Sequence, residues 1–106
     1  MHNLAVQIVR FADNNQPGWV ECEFVDAEGR RHSIIEKVSV VTAEDLDADS
    51  KYPTPGVVSC EVLGRYQNEK GQELAHVSTV KPWDIESTEG LSEFTVPASL
   101  ITSMDE

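Results

Sequence analysis

Every second side chain is apolar in Val20-Glu21-Cys22-Glu23-Phe24, and the rhythm returns in Val58-Ser59-Cys60-Glu61-Val62 and Leu74-Ala75-His76-Val77. A two-residue period sends one set of side chains to a dry face and the other to water, as in a half-buried strand. Strands are predicted at 4–11, 19–25, 30–37, 57–66, 74–80 and 93–96, with one more short pairing at Leu100-Ile101. Val38-Ser39-Val40-Val41 either extends the third strand or forms a short one of its own. In the first strand Leu4, Val6 and Ile8 share one parity, whereas Val9 and Phe11 take the other. A bulge near Ile8-Val9, or burial on both faces, accounts for the slip.

Turn chemistry separates these segments at 13–18, at Asp26-Ala27-Glu28-Gly29 and at Asn68-Glu69-Lys70-Gly71. Gly and Asn accept positive φ, and Pro presets its own. The second and third strands, and the fourth and fifth, therefore read as hairpins. Thr42, followed by Glu44 and Asp45, predicts a single helical turn at 43–47. Pro53 and Pro55 interrupt the longest irregular stretch, 47–56, and Pro97 places the sixth strand at an edge or an end. Residues 104–106 read as a frayed terminus. The pattern predicts an all-β domain: a small antiparallel barrel or sandwich of six or seven strands with one short helical turn. At 106 residues, 1–106 is a single domain.

Composition supports a folded domain, since 40% of the residues are hydrophobic, enough for one core without cross-links. Eight Lys+Arg stand against 19 Asp+Glu, a formal charge of −11 at pH 7. That field repels phosphate backbones and anionic membrane surfaces. The expected partner is a protein or peptide with a basic surface, not nucleic acid and not a membrane. The first residues lack a basic leader, and no apolar run approaches the ~20 residues of a membrane span. A cytoplasmic location with reduced thiols follows as the expectation.

The reactive side chains form no recognisable motif. Cys22 and Cys60 alternate with Val and Phe, and buried, inert thiols are expected. With His32 and His76 they lack the close spacing of a zinc site. A thiol nucleophile would need His32 or His76 beside Cys60, which sequence cannot arrange. No phosphate loop or serine elbow is present. No catalytic residue, metal ligand or cofactor is assigned. Asp45, Asp47 and Asp49 match three positions of a calcium loop, but Ser50 and Gly56 stand where that loop needs Gly and Glu.

Aromatic residues carry more. Trp19, Tyr52 and Trp83 each adjoin turn or proline chemistry, and Glu21 and Glu23 share the outer parity of Trp19. Exposed aromatic rings anchor recognition because they present large, stiff contact areas. Trp19, Glu21, Glu23, Tyr52 and Trp83 are therefore the expected binding surface of a non-catalytic acidic binding or assembly module. A homodimer through an unsatisfied strand edge is a further expectation. The alternatives are a small enzyme whose His32, His76 and Cys60 meet only in the fold, or a divalent-cation-binding protein.

Gly18-Trp19-Val20-Glu21-Cys22, Glu36-Lys37-Val38, Tyr52-Pro53-Thr54-Pro55-Gly56 and Lys81-Pro82-Trp83-Asp84-Ile85-Glu86-Ser87-Thr88 resemble a family of short, uncharacterised bacterial proteins over nearly the whole chain. Ser39 and Asp84 stand where that family has Pro and Gly, and the resemblance implies no activity. Strand order and length are also similar to the small Greek-key barrel that forms the second domain of translation factors. That likeness implies a fold and no function.

Overall fold

Alternation becomes architecture in strand β2 (Trp19–Val25), where Val20, Cys22 and Phe24 are buried and the residues between them face outward. The structure, a computed structural model, describes residues 1–13 and 18–103. Residues 14–17, read as part of a turn, and 104–106, read as a frayed end, lie outside the described residues. The other elements are β1 (His2–Asp13), β3 (Arg31–Lys37), a helical turn α1 (Val38–Val41), β4 (Thr54–Gln67), β5 (Glu73–Ser78), β6 (Glu93–Pro97) and β7 (Ile101–Ser103). A 3-10 turn at Ala98–Leu100 leads into β7. The strands run antiparallel in the order β3-β2-β1-β4-β5-β6, and β7 pairs with β1. The protein is thus an all-β domain built on a curled, half-barrel sheet.

The parity slip in β1 is a bulge. Ile8 faces Cys22 and Arg10 faces Glu21, so Val9 is the extra residue. The bulge lets both Ile8 and Phe11 point at the core, although three residues separate them. A second bulge at Leu63 in β4, between Val62 and Gly64, leaves that leucine exposed. Several strand limits differ from the pattern, β1 running from His2 to Asp13 where 4–11 is predicted, and two of the differences have a plain cause. β4 begins at Thr54 because Thr54, Pro55 and Gly56 pair with Ile8, Gln7 and Val6 despite the prolines. β5 ends at Ser78 because Thr79 turns inward to hold the following loop.

The expected helical turn is displaced. Residues 43–47 are not helical, and the turn lies one step earlier at Val38–Val41, closed by the amide of Thr42 donating to the carbonyl of Val38 at 3.1 Å. Valine loses only about half a kcal/mol in a helix, several times less than burying its side chain returns. Val41 is fully buried, and Val38 and Val40 pack on the same core. Thr42 ends the turn instead of starting one, and its hydroxyl accepts from the amide of Glu44 at 3.2 Å.

Two backbone hydrogen bonds draw the ends of the sheet together. Ala27, in the β2–β3 turn, donates to the carbonyl of Thr95 in β6, and Thr88, in the β5–β6 loop, donates to the carbonyl of Ser33 in β3, both at 2.8 Å. The core inside includes Leu4, Ile8, Val20, Ile34, Val58 and Val96.

Candidate binding surface

The β5–β6 connection presents its apex from a closed ring of hydrogen bonds. Ile85 donates its amide to the carbonyl of Thr79 at 2.9 Å, and the Thr79 hydroxyl donates back to the carbonyl of Ile85 at 2.6 Å. Asp84 donates to the carbonyl of Val80 at 2.6 Å. Thr79 and Ile85 are buried in the core, whereas Val80, Lys81, Pro82, Trp83 and Asp84 are all exposed. Trp83 is 57% exposed. Asp84 has φ 53°, in the left-handed region that favours glycine. Its backbone is held there by the Thr79–Ile85 pair. A buried base under an exposed tryptophan is how a scaffold presents a recognition loop.

The loop's second half is fixed by Ser87. Its amide donates to the carbonyl of Leu91, the amide of Gly90 donates back to its carbonyl, and its hydroxyl accepts from the amides of Glu89 and Leu91. This turn carries Glu89 to His32. The ring nitrogens of His32 lie 2.9 Å from Glu89 Oε1 and 2.7 Å from Asp26 Oδ2. His32 is 5% exposed. Its ring lies against Phe24 and Phe94, which meet each other edge-to-face at 5.0 Å between centroids. Burial would lower the His32 pKa, but the hydrogen bonds and charges of Asp26 and Glu89 outweigh it and raise the pKa above the usual 6.5. Asp26 moves the other way. Burial would raise its pKa, but the His32 ring and the amides of Arg30 and Glu28 together bring it below 3.8.

The other residues expected at the surface lie elsewhere. Trp19, Glu21 and Glu23 share the outer face of β2 and are half-buried. Lys37 sits 5.8 Å from the Trp19 ring, Arg10 pairs with Glu21, and Arg31 pairs with Glu23 at 3.8 Å. The patch around Trp19 thus carries its own counter-charges. Glu23 and Arg31 also line a groove of about 510 Å³, together with Val9, Val25, Pro97 and Leu100. Tyr52 packs against the core and donates its hydroxyl to the carbonyl of Asp47 at 2.7 Å. Among the described residues, Trp19, Tyr52 and Trp83 make no ring contact with one another.

The remaining candidates are inert or dispersed. Cys22 and Cys60 are free and fully buried. They sit on β2 and β4, with β1 between them. Burial, then the charges of Glu36 and Glu21, pushes the Cys22 thiol up to about 12, and burial pushes Cys60 up to about 11. Neither is a nucleophile at neutral pH. His76 contacts Thr95 Oγ1 and Glu93 Oε1, each at 3.0 Å, and no thiol. Asp47 Oδ1 accepts from the amide of Asp49 and the hydroxyl of Ser50, which makes a turn within its own loop. Among the described residues, no group of three His, Cys, Asp or Glu side chains is placed to hold a metal ion. None of their helices is long and apolar enough to cross a membrane.

Trp83, singled out in the sequence, is exposed, whereas its base and the His32 cluster were not legible there. Asp26 and Glu89 lie 63 positions apart in the chain and meet at His32 only through a turn and a closing loop. The one legible hint was His32 sharing parity with buried Ile34. No family model, curated protein or solved structure matches this chain, so its function has to be read from these side chains.

Proposed function

We propose that the protein is a non-catalytic binding module whose contact centre is the Trp83 loop, and that its partner is a protein or peptide with a basic and partly apolar surface. The observation that carries this reading is Trp83, held outward on a loop closed by Thr79 and Ile85. Asp84 and Glu86 flank the ring and are exposed, and the chain's net charge of −11 favours encounter with a cation-rich surface. Two buried thiols suit a reducing, cytoplasmic setting. The enzyme alternative loses its nucleophile to burial. Both nitrogens of His32 face carboxylates, and His76 contacts Thr95 and Glu93, so neither candidate base lies against a thiol.

The test is affinity capture from source cells with the parent chain, Trp83→Ala and Trp19→Phe. A central tryptophan contributes about 2 kcal/mol or more to an interface. Recovery of a specific partner should therefore fall by roughly 30-fold with Trp83→Ala, stay unchanged with Trp19→Phe, and weaken as salt is raised. Equal recovery by parent and Trp83→Ala would remove the loop from the contact.

A second copy of the chain is the other partner the geometry favours. Among the described residues, 61–67 of β4 pair with β5 alone, and Leu63 and Tyr66 on this segment are exposed. Sedimentation over a range of concentrations reads this directly, and a monomer throughout would end it.

A further inference from the structure

We propose that His32 is a proton-operated clasp on the Trp83 loop: the doubly protonated ring ties the loop to the barrel through Glu89, and loss of one proton releases it at that end. The inference rests on the reading of that loop as the contact surface and adds a proton-dependent tie at its Glu89 end. Each nitrogen of the His32 ring faces a carboxylate oxygen, and a carboxylate only accepts. Both contacts are hydrogen bonds only when the ring carries two N–H groups. A neutral ring has one N–H and one lone pair, and the lone pair would face a negative oxygen. The ring is 5% exposed and packs against the Phe24–Phe94 pair, so water does not readily replace either contact.

The two carboxylates are not equivalent. Asp26 is held by the amides of Glu28 and Arg30 on its other oxygen, at 2.8 and 3.0 Å, and its side chain is 13% exposed. The Glu89 side chain is 54% exposed, so water can solvate it at once. On deprotonation the remaining N–H therefore stays with Asp26, and Glu89 leaves. The other charged or titratable side chains lining the pocket that His32 borders are Glu28, Arg30, Tyr66 and Glu93. Glu28 lies 3.8 Å from Arg30 and Glu93 lies 3.0 Å from His76, and neither contacts the His32 ring. Thr88 immediately precedes Glu89, and its amide is the loop's bond to β3. Release of Glu89 weakens that bond, and the raised His32 pKa puts the release on the alkaline side of 6.5.

The experiment is amide hydrogen exchange by NMR across neutral to alkaline pH, with the His32 ring shifts followed in the same samples. As His32 loses its proton, the protection factor of the Thr88 amide should fall by about tenfold or more, while that of Ile85, inside the Thr79–Ile85 ring, holds. Glu89→Gln keeps the side-chain length, and its amide can meet either form of the imidazole. In that variant the Thr88 protection should show no step. A parent protein whose Thr88 protection is unchanged while His32 titrates would overturn the clasp, as would a ring already neutral below 6.5 or a step retained in Glu89→Gln. No partner enters the measurement. Its failure therefore leaves the capture result standing, and loss of the capture result leaves the exchange data intact.

Discussion

Asp84 and Thr79 hold the Trp83 loop in different ways. At φ 53° an aspartate is tolerated at a cost of roughly 1 kcal/mol relative to glycine. Asp84→Gly should therefore leave stability unchanged or raise it by about that much, whereas Asp84→Val should lower it by roughly 1–2 kcal/mol, both read by chemical denaturation. A stabilising valine would show that the left-handed backbone is not retained. Thr79 is fully buried, and its hydroxyl is the donor to the carbonyl of Ile85. Thr79→Val preserves shape but leaves that carbonyl a donor short, at a cost of about 1–3 kcal/mol. It should also raise exchange at Ile85, an effect that a purely volumetric substitution elsewhere in the core would not produce. The thiols supply a third measurement. With Cys22 raised to about 12 and Cys60 to about 11, neither should react with an aromatic disulfide reagent in the folded protein. Both should react once the chain is unfolded.

Strands β1 and β4 cross so closely at one point that only glycine fits. Gly56 faces Val6, and a Cβ built there would lie 2.8 Å from Cδ1 of Ile8 and 3.1 Å from the carbonyl oxygen of Val41. Gly56→Ala should cost roughly 1–3 kcal/mol. Combined with Ile8→Ala, Gly56→Ala should cost less than the sum of the two single changes, since Ile8→Ala removes both Cδ1 and the Cγ1 that lies 2.9 Å away, while the backbone contact at Val41 remains. Simple additivity of the two substitutions would mean that they do not touch. This crossing also marks how far the fold was legible beforehand. The inner faces of β2 and β4 could be read from Val20, Cys22, Phe24, Val58 and Cys60, because a period of two survives in local sequence. The β1 bulge could be read from the misfit of Phe11. The helical turn could not, because four residues rich in β-branched side chains look like strand and fold as helix only when the core claims Val41. The aromatic reading located Trp83, whose exposure is a local property. The Asp26–His32–Glu89 cluster was hidden because no local rule brings residue 89 to residue 32.

At the scale of the molecule, two opposing electrostatic effects meet on the alkaline side, and salt separates them. The net charge of −11 produces a diffuse repulsion that grows as protons leave and that added salt screens. His32 acts locally. Its pKa is raised on folding, so its contribution is complete below 6.5 and is lost as pH climbs through the folded value. Asp26, lowered on folding, contributes above 3.8 and loses its share as pH falls through its own folded value. The clasp is whole between those two folded values. Unfolding free energy measured against pH should therefore be highest between them. On the alkaline limb it should fall with a slope of at most about 1.4 kcal/mol per pH unit, the limit for one proton. Raising the salt should lift the whole curve through the screened surface charge. It should leave the position of the alkaline limb in place, because a ring only 5% exposed and packed against the Phe24–Phe94 pair is shielded from counter-ions. Glu89→Gln removes one carboxylate that raises the ring's pKa, so its alkaline limb should begin closer to 6.5 and be shallower in total. An alkaline limb that vanishes in high salt in the parent chain would assign the loss to net charge and deny His32 a part in it.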